Sequence, residues 1–270
     1  EPGAHRNPMI RLQNFSYRYP DSPQKALQDV CLEVEKGELV LLTGPSGCGK
    51  STLFLALAGF LFARYDGEHS GTVDVAGCDP SREPVYATAD VVGLVQQNPE
   101  DLFCTLTVED EIAFGLENRL VPRKEIERRM DWALEAVGAA HLRERELFSL
   151  SGGEKQRIAL AAVLAPGPEV ILFDEPTSGL DPRAAKEIFR LLLDLQRREG
   201  LTMLVAEHKQ DFLQHAHPRR LYMEHGRLLP ADEVSRKKSI SSHWRKPPPV
   251  GDMETTSMFS TLNTDPAAAM

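Results

Sequence analysis

Apolar and polar positions alternate along this chain in two patterns, one with the period of a strand and one with that of a helix. Strand-like segments are found at 9–19, 27–44, 71–77, 89–97, 169–173, 201–208 and 219–229. Segment 27–44 holds two strands joined at Lys36 and Gly37, and 219–229 is predicted to be a hairpin. Helical periodicity occupies 50–60, much of 108–165 and the run from Pro182 to about Glu199. Strands that alternate with helices predict an α/β fold with a mainly parallel sheet.

The middle of the chain, about 98–165, is helical and is predicted to be a subdomain inserted into a larger domain that spans 9–232. One helix is expected at 122–138, because this segment begins with a proline and ends with a glycine. From 233 to 270, serines, prolines and basic residues replace the periodic pattern, which predicts a disordered tail or a linker. The sequence starts with Glu1 rather than Met, which suggests a piece of a longer polypeptide.

Composition and charge are those of a globular protein with a sizeable core, since 41% of the 270 residues are apolar and 26% are charged. The net charge of −9 argues against broad, nonspecific binding to nucleic acid, which usually needs a basic surface. The longest nearly apolar run, 53–63, is shorter than the roughly 18 residues of a membrane-spanning helix. The first ten residues hold no apolar signal-peptide region. We therefore expect other subunits to supply any membrane spans.

The cysteines lack the spacing of a metal site and are expected to be reduced thiols; they are Cys31, Cys48, Cys78 and Cys104. Cys48 lies just before a predicted helix, whose positive end would acidify the thiol and make it sensitive to oxidation. The simpler interpretation is that Cys48 occupies a variable loop position.

The stretch GPSGCGKST at 44–52 joins an apolar strand to a helix and fits the phosphate-binding pattern G-x-x-x-x-G-K-[S/T]. Its glycines let successive backbone N–H groups turn inward toward an anion at a helix start. Lys50 is expected to reach the β- and γ-phosphates of ATP, and Ser51 to bind Mg²⁺. The residues predicted to hold the nucleotide are Gly44, Pro45, Ser46, Gly47, Cys48, Gly49, Lys50, Ser51 and Thr52.

Polar side chains follow three other predicted strands and are expected to meet this loop in one crevice. Asp174 ends the strand EVILFD and is a candidate Mg²⁺ ligand, and the adjacent Glu175 is a candidate general base for water attack. Gln97 ends another strand and could contact the metal, its water or a phosphate. His208 ends a third strand and is a candidate for holding the water or the γ-phosphate, although a lone histidine at a strand end is usually structural.

A second glycine-rich helix start, LSGGEKQ at 150–156, raises the question of why one chain needs two. Ser151 and Glu154 form a capping box, which alone would explain a well-capped helix. A capping box does not require Gly152 and Gly153, however, and glycine at a helix position gives up roughly 0.5–1 kcal/mol relative to alanine. We infer that an anion approaches this backbone. If the helix belongs to a separate insert, the simplest arrangement is a dimer in which the second loop of one chain closes over the nucleotide held by its partner.

The set GPSGCGKST, Gln97, LSGGEKQ, VILFDEP, SGLD and His208 resembles the ATPase subunit of ABC transporters over about residues 9–230. The resemblance implies a P-loop NTPase fold with a RecA-like core, an antiparallel β subdomain and a helical subdomain, and a head-to-tail dimer with ATP and Mg²⁺ at the interface. It further implies that Tyr19 stacks on adenine. Asp181 and the segment Ser151–Glu154 would act on the nucleotide of the opposite protomer.

The segment 97–118 narrows the resemblance to the energy-coupling factor ATPases, which drive uptake of vitamins and of cobalt or nickel. This implies a second ABC ATPase, identical, paralogous or fused in a longer chain, together with a transmembrane coupling subunit and a substrate-binding membrane subunit. The protein would then lie at the cytoplasmic face of the membrane, with 98–165 as the transmission face. The chain departs from the usual pattern at Gln96, Leu102, Glu207 and Lys209.

Two other functions remain open at this point. A soluble ABC ATPase that acts on ribosomes or nucleic acid is hinted at only by basic clusters within 236–246, and no nucleic-acid partner is expected. A degenerate module that binds ATP without hydrolysing it is disfavoured, because each expected catalytic residue is present: Lys50, Gln97, Glu175 and His208.

Overall fold

The computed structural model describes residues 8–207 and 218–229. The strands in this part of the chain are β1 Ile10–Arg18, β2 Leu27–Val34, β3 Leu39–Thr43, β4 Glu68–Val75, β5 Val92–Val95, β6 Val170–Asp174, β7 Thr202–Ala206, β8 Arg219–Glu224 and β9 Arg227–Leu229. The α-helices are α1 Lys50–Leu57, α2 Phe60–Arg64, α3 Val85–Val91, α4 Val108–Glu117, α5 Arg123–Ala136, α6 Gly152–Leu164 and α7 Pro182–Glu199. Short 3₁₀ turns lie at Pro99–Leu102, Ala140–Leu142 and Leu147–Ser149.

The central sheet has six strands in the order β5-β6-β7-β3-β8-β9. Every neighbouring pair from β5 to β8 is parallel, and β9 returns antiparallel to β8. The strands β3, β5, β6 and β7 are buried almost throughout, which explains why their sequences are mainly apolar and do not alternate. The parallel order confirms the predicted α/β class and brings the carboxyl ends of β3, β5, β6 and β7 to one edge.

A second sheet is antiparallel and has the order β2-β1-β4. Its register pairs Ile10 with Val34 and with Val75, so β1 is the middle strand. The apolar residues of this sheet share one core with α1 and with one face of the central sheet. The sheet thereby fixes the position of the segment that follows β1, which carries Tyr19.

The helices α4, α5 and α6 pack around a second core, which also includes α7 and the other face of the central sheet. These helices fall within the range predicted to be helical. The helix α5 ends before Gly138, which has a φ of 67°, as expected for a glycine that stops a helix.

Three local predictions need correction. Residues 89–91 were expected to be strand, but they form the last turn of α3, which starts after Pro84; an apolar run alone does not separate a buried strand from a short buried helix. The helix α1 stops at Leu57 rather than at 60, because Gly59 at φ 78° starts a separate helix. The strand expected at 71–77 already begins at Glu68, where it pairs with Arg18.

Among the described residues, no helix is long and apolar enough to cross a membrane. The predicted tail, 233–270, and its basic clusters lie outside the described residues, as does His208.

Candidate nucleotide and hydrolysis site

The loop between β3 and α1 has the shape of a phosphate cradle. Its first glycine, Gly44, is required by close approach, since a Cβ there would lie 2.2 Å from the backbone oxygen of Met223. Gly49 caps α1 with φ 114°, a left-handed conformation that favours glycine. Between them Pro45, Ser46 and Gly47 are exposed. The loop therefore offers open backbone groups at the positive end of a helix.

The side chain of Lys50 is 5% exposed and folds back across the loop. Its ammonium donates to the backbone oxygens of Gly44 at 3.1 Å and Pro45 at 3.2 Å. It also lies 4.0 Å from Oε1 of Glu175. The predicted phosphate-binding lysine and the predicted general base thus flank the same point of the cradle.

Ser51, Asp174 and Gln97, the three predicted Mg²⁺ contacts, line one cleft of about 300 Å³. The Ser51 hydroxyl is hydrogen-bonded to the Asp174 carboxyl. Burial raises the pKa of Asp174, the charge of Glu175 adds to this rise, and the Ser51 hydrogen bond and Lys50 oppose it. A divalent cation would relieve the cost of keeping this half-buried carboxylate ionised.

The donor set fits Mg²⁺ because all three side chains present oxygen ligands, which this hard cation prefers. Within 8–207 and 218–229, no group of three or more His, Cys, Asp and Glu side chains could hold a metal on its own. Such a sparse set matches a metal whose remaining ligands are phosphate oxygens and water.

Glu175 follows directly after β6 in a strained backbone conformation, with φ 52°. A non-glycine residue held in this region costs about 1–3 kcal/mol, and such residues cluster at functional sites. Its backbone N–H donates to Ala206 at the end of β7, at 3.0 Å, and its carbonyl accepts from the Ser178 N–H, at 3.0 Å. The turn Glu175–Ser178 therefore aims the Glu175 carboxylate back toward Lys50.

Gln97 lies two residues beyond β5 and is exposed. Its side-chain amide donates to the hydroxyl of Ser178 at 2.8 Å. Ser178 was not singled out by the sequence analysis except as part of the segment SGLD. The contact links the residue that follows β5 to the turn that carries Glu175.

Tyr19 lies at the open side of the cradle. Its hydroxyl is 3.3 Å from that of Thr52, the last residue of the phosphate-binding pattern. Its ring meets the edges of Tyr17 and Tyr65 at centroid distances of 5.0 and 5.1 Å. This contact to Thr52 and the partial exposure of Tyr19 suit a ring that stacks on a base.

The start of α6 holds the predicted capping box. The Ser151 hydroxyl donates to Glu154 at 2.7 Å, the Ser151 N–H donates to the same carboxylate at 2.8 Å, and the Glu154 N–H donates back to the hydroxyl. The Ser151 hydroxyl is also the main cause of the lowered pKa of Glu154. None of the described contacts joins this segment to the glycine loop of the same chain.

The fold of the chain itself does not require the two glycines of this helix start. A Cβ on Gly152 would lie 3.5 Å from Leu180, and one on Gly153 would lie 3.7 Å from Ala184, both ordinary contact distances. Neither glycine has a positive φ. Gly152, Gln97 and Ser178 line an open cleft of about 370 Å³. The bare helix start is therefore free to receive something from outside the chain.

Asp181 caps α7 and accepts hydrogen bonds from the N–H groups of Arg183 at 2.8 Å and Ala184 at 3.0 Å. The Ala184 N–H is the main cause of its lowered pKa. Asp181 is exposed beside the start of α6, since Leu180 and Ala184 are the neighbours of Gly152 and Gly153. The two predicted contacts to an opposite protomer thus share one surface.

The acidified thiol considered for Cys48 is wrong. Cys48 is buried, and burial raises the pKa of its thiol more than the nearby Lys50 lowers it. The other residues of the segment 44–52 lie in the loop between β3 and α1 or in the first turn of α1. The sequence analysis missed Thr177, whose hydroxyl donates to the buried Glu207. The only signal in the sequence was the charged residue Glu207 near the end of the mainly apolar segment 201–208.

Comparison with known proteins places this chain in a family. The profile of the family described as ABC transporter matches residues 27–178. The chain is 43% identical over 235 residues to the energy-coupling factor transporter ATP-binding protein EcfA1 of Lacticaseibacillus paracasei, covering 87% of this chain and 81% of that protein. It is 44% identical over 209 residues to the putative HMP/thiamine import ATP-binding protein YkoD of Bacillus subtilis, covering 75% of this chain. The chain spans only 37% of YkoD, and 37–38% of two Methanosarcina relatives.

Solved structures agree with the sequence relatives. The structure of cbiO1 from Clostridium perfringens, part of the cbiONQ complex, has a TM-score of 0.75 and 30% identity, covering 87% of this chain and 94% of that one. The dimeric, post-hydrolysis cassette MJ0796 bound to ADP and Pi has a TM-score of 0.70 and 26% identity, covering 82% and 97%. The chain therefore belongs to the ABC transporter family, as an ATP-binding protein with the ABC ATPase fold and with energy-coupling factor proteins among its relatives.

Proposed function

We propose that this chain binds ATP and hydrolyses it as the motor of an importer of the energy-coupling type. The observation that carries the proposal is the meeting of Lys50 with Glu175 at 4.0 Å, beside the hydrogen-bonded pair Ser51 and Asp174. In this arrangement Lys50 binds the β- and γ-phosphates, and the Glu175 carboxylate accepts the proton of the attacking water. His208 is proposed to hold the water or the γ-phosphate, as its place in the sequence predicts.

Ser51 and Asp174 are proposed to hold Mg²⁺, with Gln97 contacting the metal or its water. The ion would neutralise the charge that develops on the transferred phosphoryl group. The chain supplies a backbone cradle at the start of α1 and, in Asp174, a half-buried carboxylate whose raised pKa a bound cation would lower. Chelation of Mg²⁺ is therefore expected to stop hydrolysis.

Each nucleotide is proposed to lie between two ATPase units. The start of α6 bears glycines that its own chain does not need, and it has no described contact with its own glycine loop. A second unit can bring its phosphates to the segment Ser151–Glu154, next to Asp181. Closure of the two units by ATP then converts binding and release into motion, because ATP and ADP stabilise the closed state unequally.

A membrane coupling subunit is proposed to contact a docking patch formed by Phe103, Leu106 and Phe148. Leu106 and Phe148 are 76% and 74% exposed, and with Phe103 they line a cleft of about 240 Å³. The Thr105 N–H and hydroxyl both donate to the buried Glu111, which holds the loop against α4. Ordered apolar side chains at a cleft are typical of a protein interface.

The docking patch is tied to both halves of the nucleotide site. The N–H of Leu147 donates to the carbonyl of Leu106 at 2.9 Å, and Leu147 lies just before the helix start Ser151. An ion pair between Glu100 and Lys155 joins the segment after Gln97 to α6. Movement of a membrane subunit on this patch would therefore reach Gln97 and Ser151–Glu154 together.

The proposed assembly places the chain at the cytoplasmic face of a membrane, where ATP is available. Its substrate would be a vitamin or a transition-metal ion, selected by a separate membrane subunit. The relatives named for energy coupling and for thiamine import support this class of substrate.

We expect Tyr19→Ala to weaken ATP binding about 5- to 150-fold, because stacking of a base on an aromatic ring contributes about 1–3 kcal/mol. Tyr19→Phe should bind ATP within about twofold of the wild type, since only the weak contact to Thr52 is lost. Titration with a fluorescent ATP analogue measures both. Equal weakening by the two variants would mean that the hydroxyl matters rather than the ring.

The docking patch is tested with Phe148→Glu in a tagged chain recovered from detergent-solubilised native membranes. We expect loss of co-purifying membrane subunits with ATP hydrolysis by the isolated chain kept within about twofold, because a charge in an apolar interface blocks docking without reaching the cradle. Tyr86→Glu is the matched control, since Tyr86 is an aromatic residue 75% exposed on α3. Mass spectrometry identifies the partners; ribosomal proteins in their place would contradict the importer.

A further inference from the structure

We propose that Thr177 and Glu207 form a buried positioning pair that holds Glu175 in place for hydrolysis; the inference rests on the proposed ATPase function. The Thr177 hydroxyl donates to Oε2 of Glu207 at 2.6 Å. Thr177 is fully buried and Glu207 is 3% exposed. The bond joins the turn that carries Glu175 to the segment after β7, so the pair acts through the residues that it holds.

The pair joins the turn after β6 to the end of β7. Thr177 is the third residue of the turn that begins at Glu175, with a proline at the second position, which favours such a turn. Glu207 directly follows β7, and its N–H donates to Leu42 in β3 at 3.2 Å. A side-chain bond from the turn thus reaches a residue anchored to the strand that leads into the phosphate cradle.

The strained backbone at Glu175 indicates what this pair does. A φ of 52° is unfavourable for a glutamate, and the turn keeps it only if the surrounding contacts hold both of its ends. The Glu175 N–H bond to Ala206 fixes the first end. The Thr177 hydroxyl fixes the other, one residue before Ser178, which accepts from Gln97.

The chemistry of the pair argues for positioning rather than for stability alone. A buried carboxylate is costly even when it is hydrogen-bonded, and well-packed apolar side chains are often at least as stable. Both partners are nevertheless polar here. What the polar pair adds is a directed bond that fixes the angle of the turn.

The test compares Thr177→Val, which removes the hydroxyl at nearly constant volume, with Thr177→Ser, which keeps it. We expect Thr177→Val to lower kcat about tenfold with the KM for ATP within about twofold, and Thr177→Ser to keep at least about half of the wild-type kcat. Glu207→Gln should also keep activity, because its amide oxygen still accepts from Thr177. Thr202→Val is the matched control, since Thr202 is another fully buried threonine whose hydroxyl accepts a hydrogen bond, from Gly37.

Because Thr177 is proposed to act through Glu175, Thr177→Val should no longer lower kcat in a chain that already carries Glu175→Gln. The tenfold ratio of wild-type kcat to Thr177→Val kcat should then fall to about one, because the effects of residues that act as a unit are not additive.

Three results would overturn the proposal: unchanged kcat in Thr177→Val, the same tenfold ratio in the Glu175→Gln background, or an equal loss of kcat in Thr202→Val. If Thr177→Val fails to fold, a tenfold loss of kcat in Thr177→Ser, which keeps the hydroxyl, would overturn the proposal instead. A wild-type chain without ATPase activity would sink the proposed function itself, which separates the two failures.

Discussion

Glu175→Gln is expected to lower ATP turnover by at least about 100-fold, because a positioned general base contributes about 10²–10⁴ to the rate. The substitution is isosteric and leaves the backbone bonds of Glu175 to Ala206 and Ser178 available. ATP binding should stay within about threefold of the wild type, since Lys50 and the cradle are unchanged. Steady-state phosphate release and ATP titration measure the two quantities.

Glu175→Gln should accumulate as a dimer in ATP and Mg²⁺, because the closed, ATP-bound state forms but its ATP is not hydrolysed to ADP. Light scattering would then show twice the 30.0 kDa of one chain in ATP, and a single chain in ADP. Glu117→Gln, at an exposed residue of α4, controls for the lost charge. Turnover at the wild-type rate in Glu175→Gln would show that another group is the base.

Gly153→Asp is expected to have the second largest effect, a loss of at least about 100-fold in turnover. A carboxylate in the first turn of α6 suits the helix dipole by about 0.3–1 kcal/mol, so the chain should fold. In the proposed dimer this charge would face the phosphates bound by the opposite unit and repel them. Each isolated chain should still bind ATP normally, because Gly153 lies outside its own cradle.

Gly153→Ala separates charge from bulk in this prediction. Its Cβ would meet Ala184 at an ordinary 3.7 Å, so we expect normal folding and a loss of turnover much smaller than that of the aspartate. The pair is compared by turnover and by thermal unfolding. Normal turnover in Gly153→Asp would mean that no anion approaches this helix start.

The cradle and the carboxylates of β6 could be predicted because short, contiguous stretches specify them. Glycines in a loop after an apolar strand and a lysine at a helix start are local features of GPSGCGKST. Asp174 and Glu175 follow an apolar strand, and parallel strands must end at one edge. The resemblance then added Tyr19 and Asp181, which spacing alone would not give.

Other features depend on contacts between distant parts of the chain. The bond from Gln97 to Ser178 and the pair of Thr177 with Glu207 join segments that follow different strands, so no local pattern predicts them. Residues 89–91 were misread as strand because an apolar run does not reveal whether it is helical. The direction of the pKa shift at Cys48 follows from burial, which outweighs the helix start.

The most direct test of a composite site mixes two inactive chains. Lys50→Ala removes the cradle lysine, and Gly153→Asp blocks the opposite contact, so each variant alone has no intact site. In an equal mixture about half of the dimers pair unlike chains, and each of these has one intact site, so about a quarter of wild-type turnover should return. A mixture no more active than its separate components, measured beside a wild-type chain that hydrolyses ATP, would contradict ATP bound between two units.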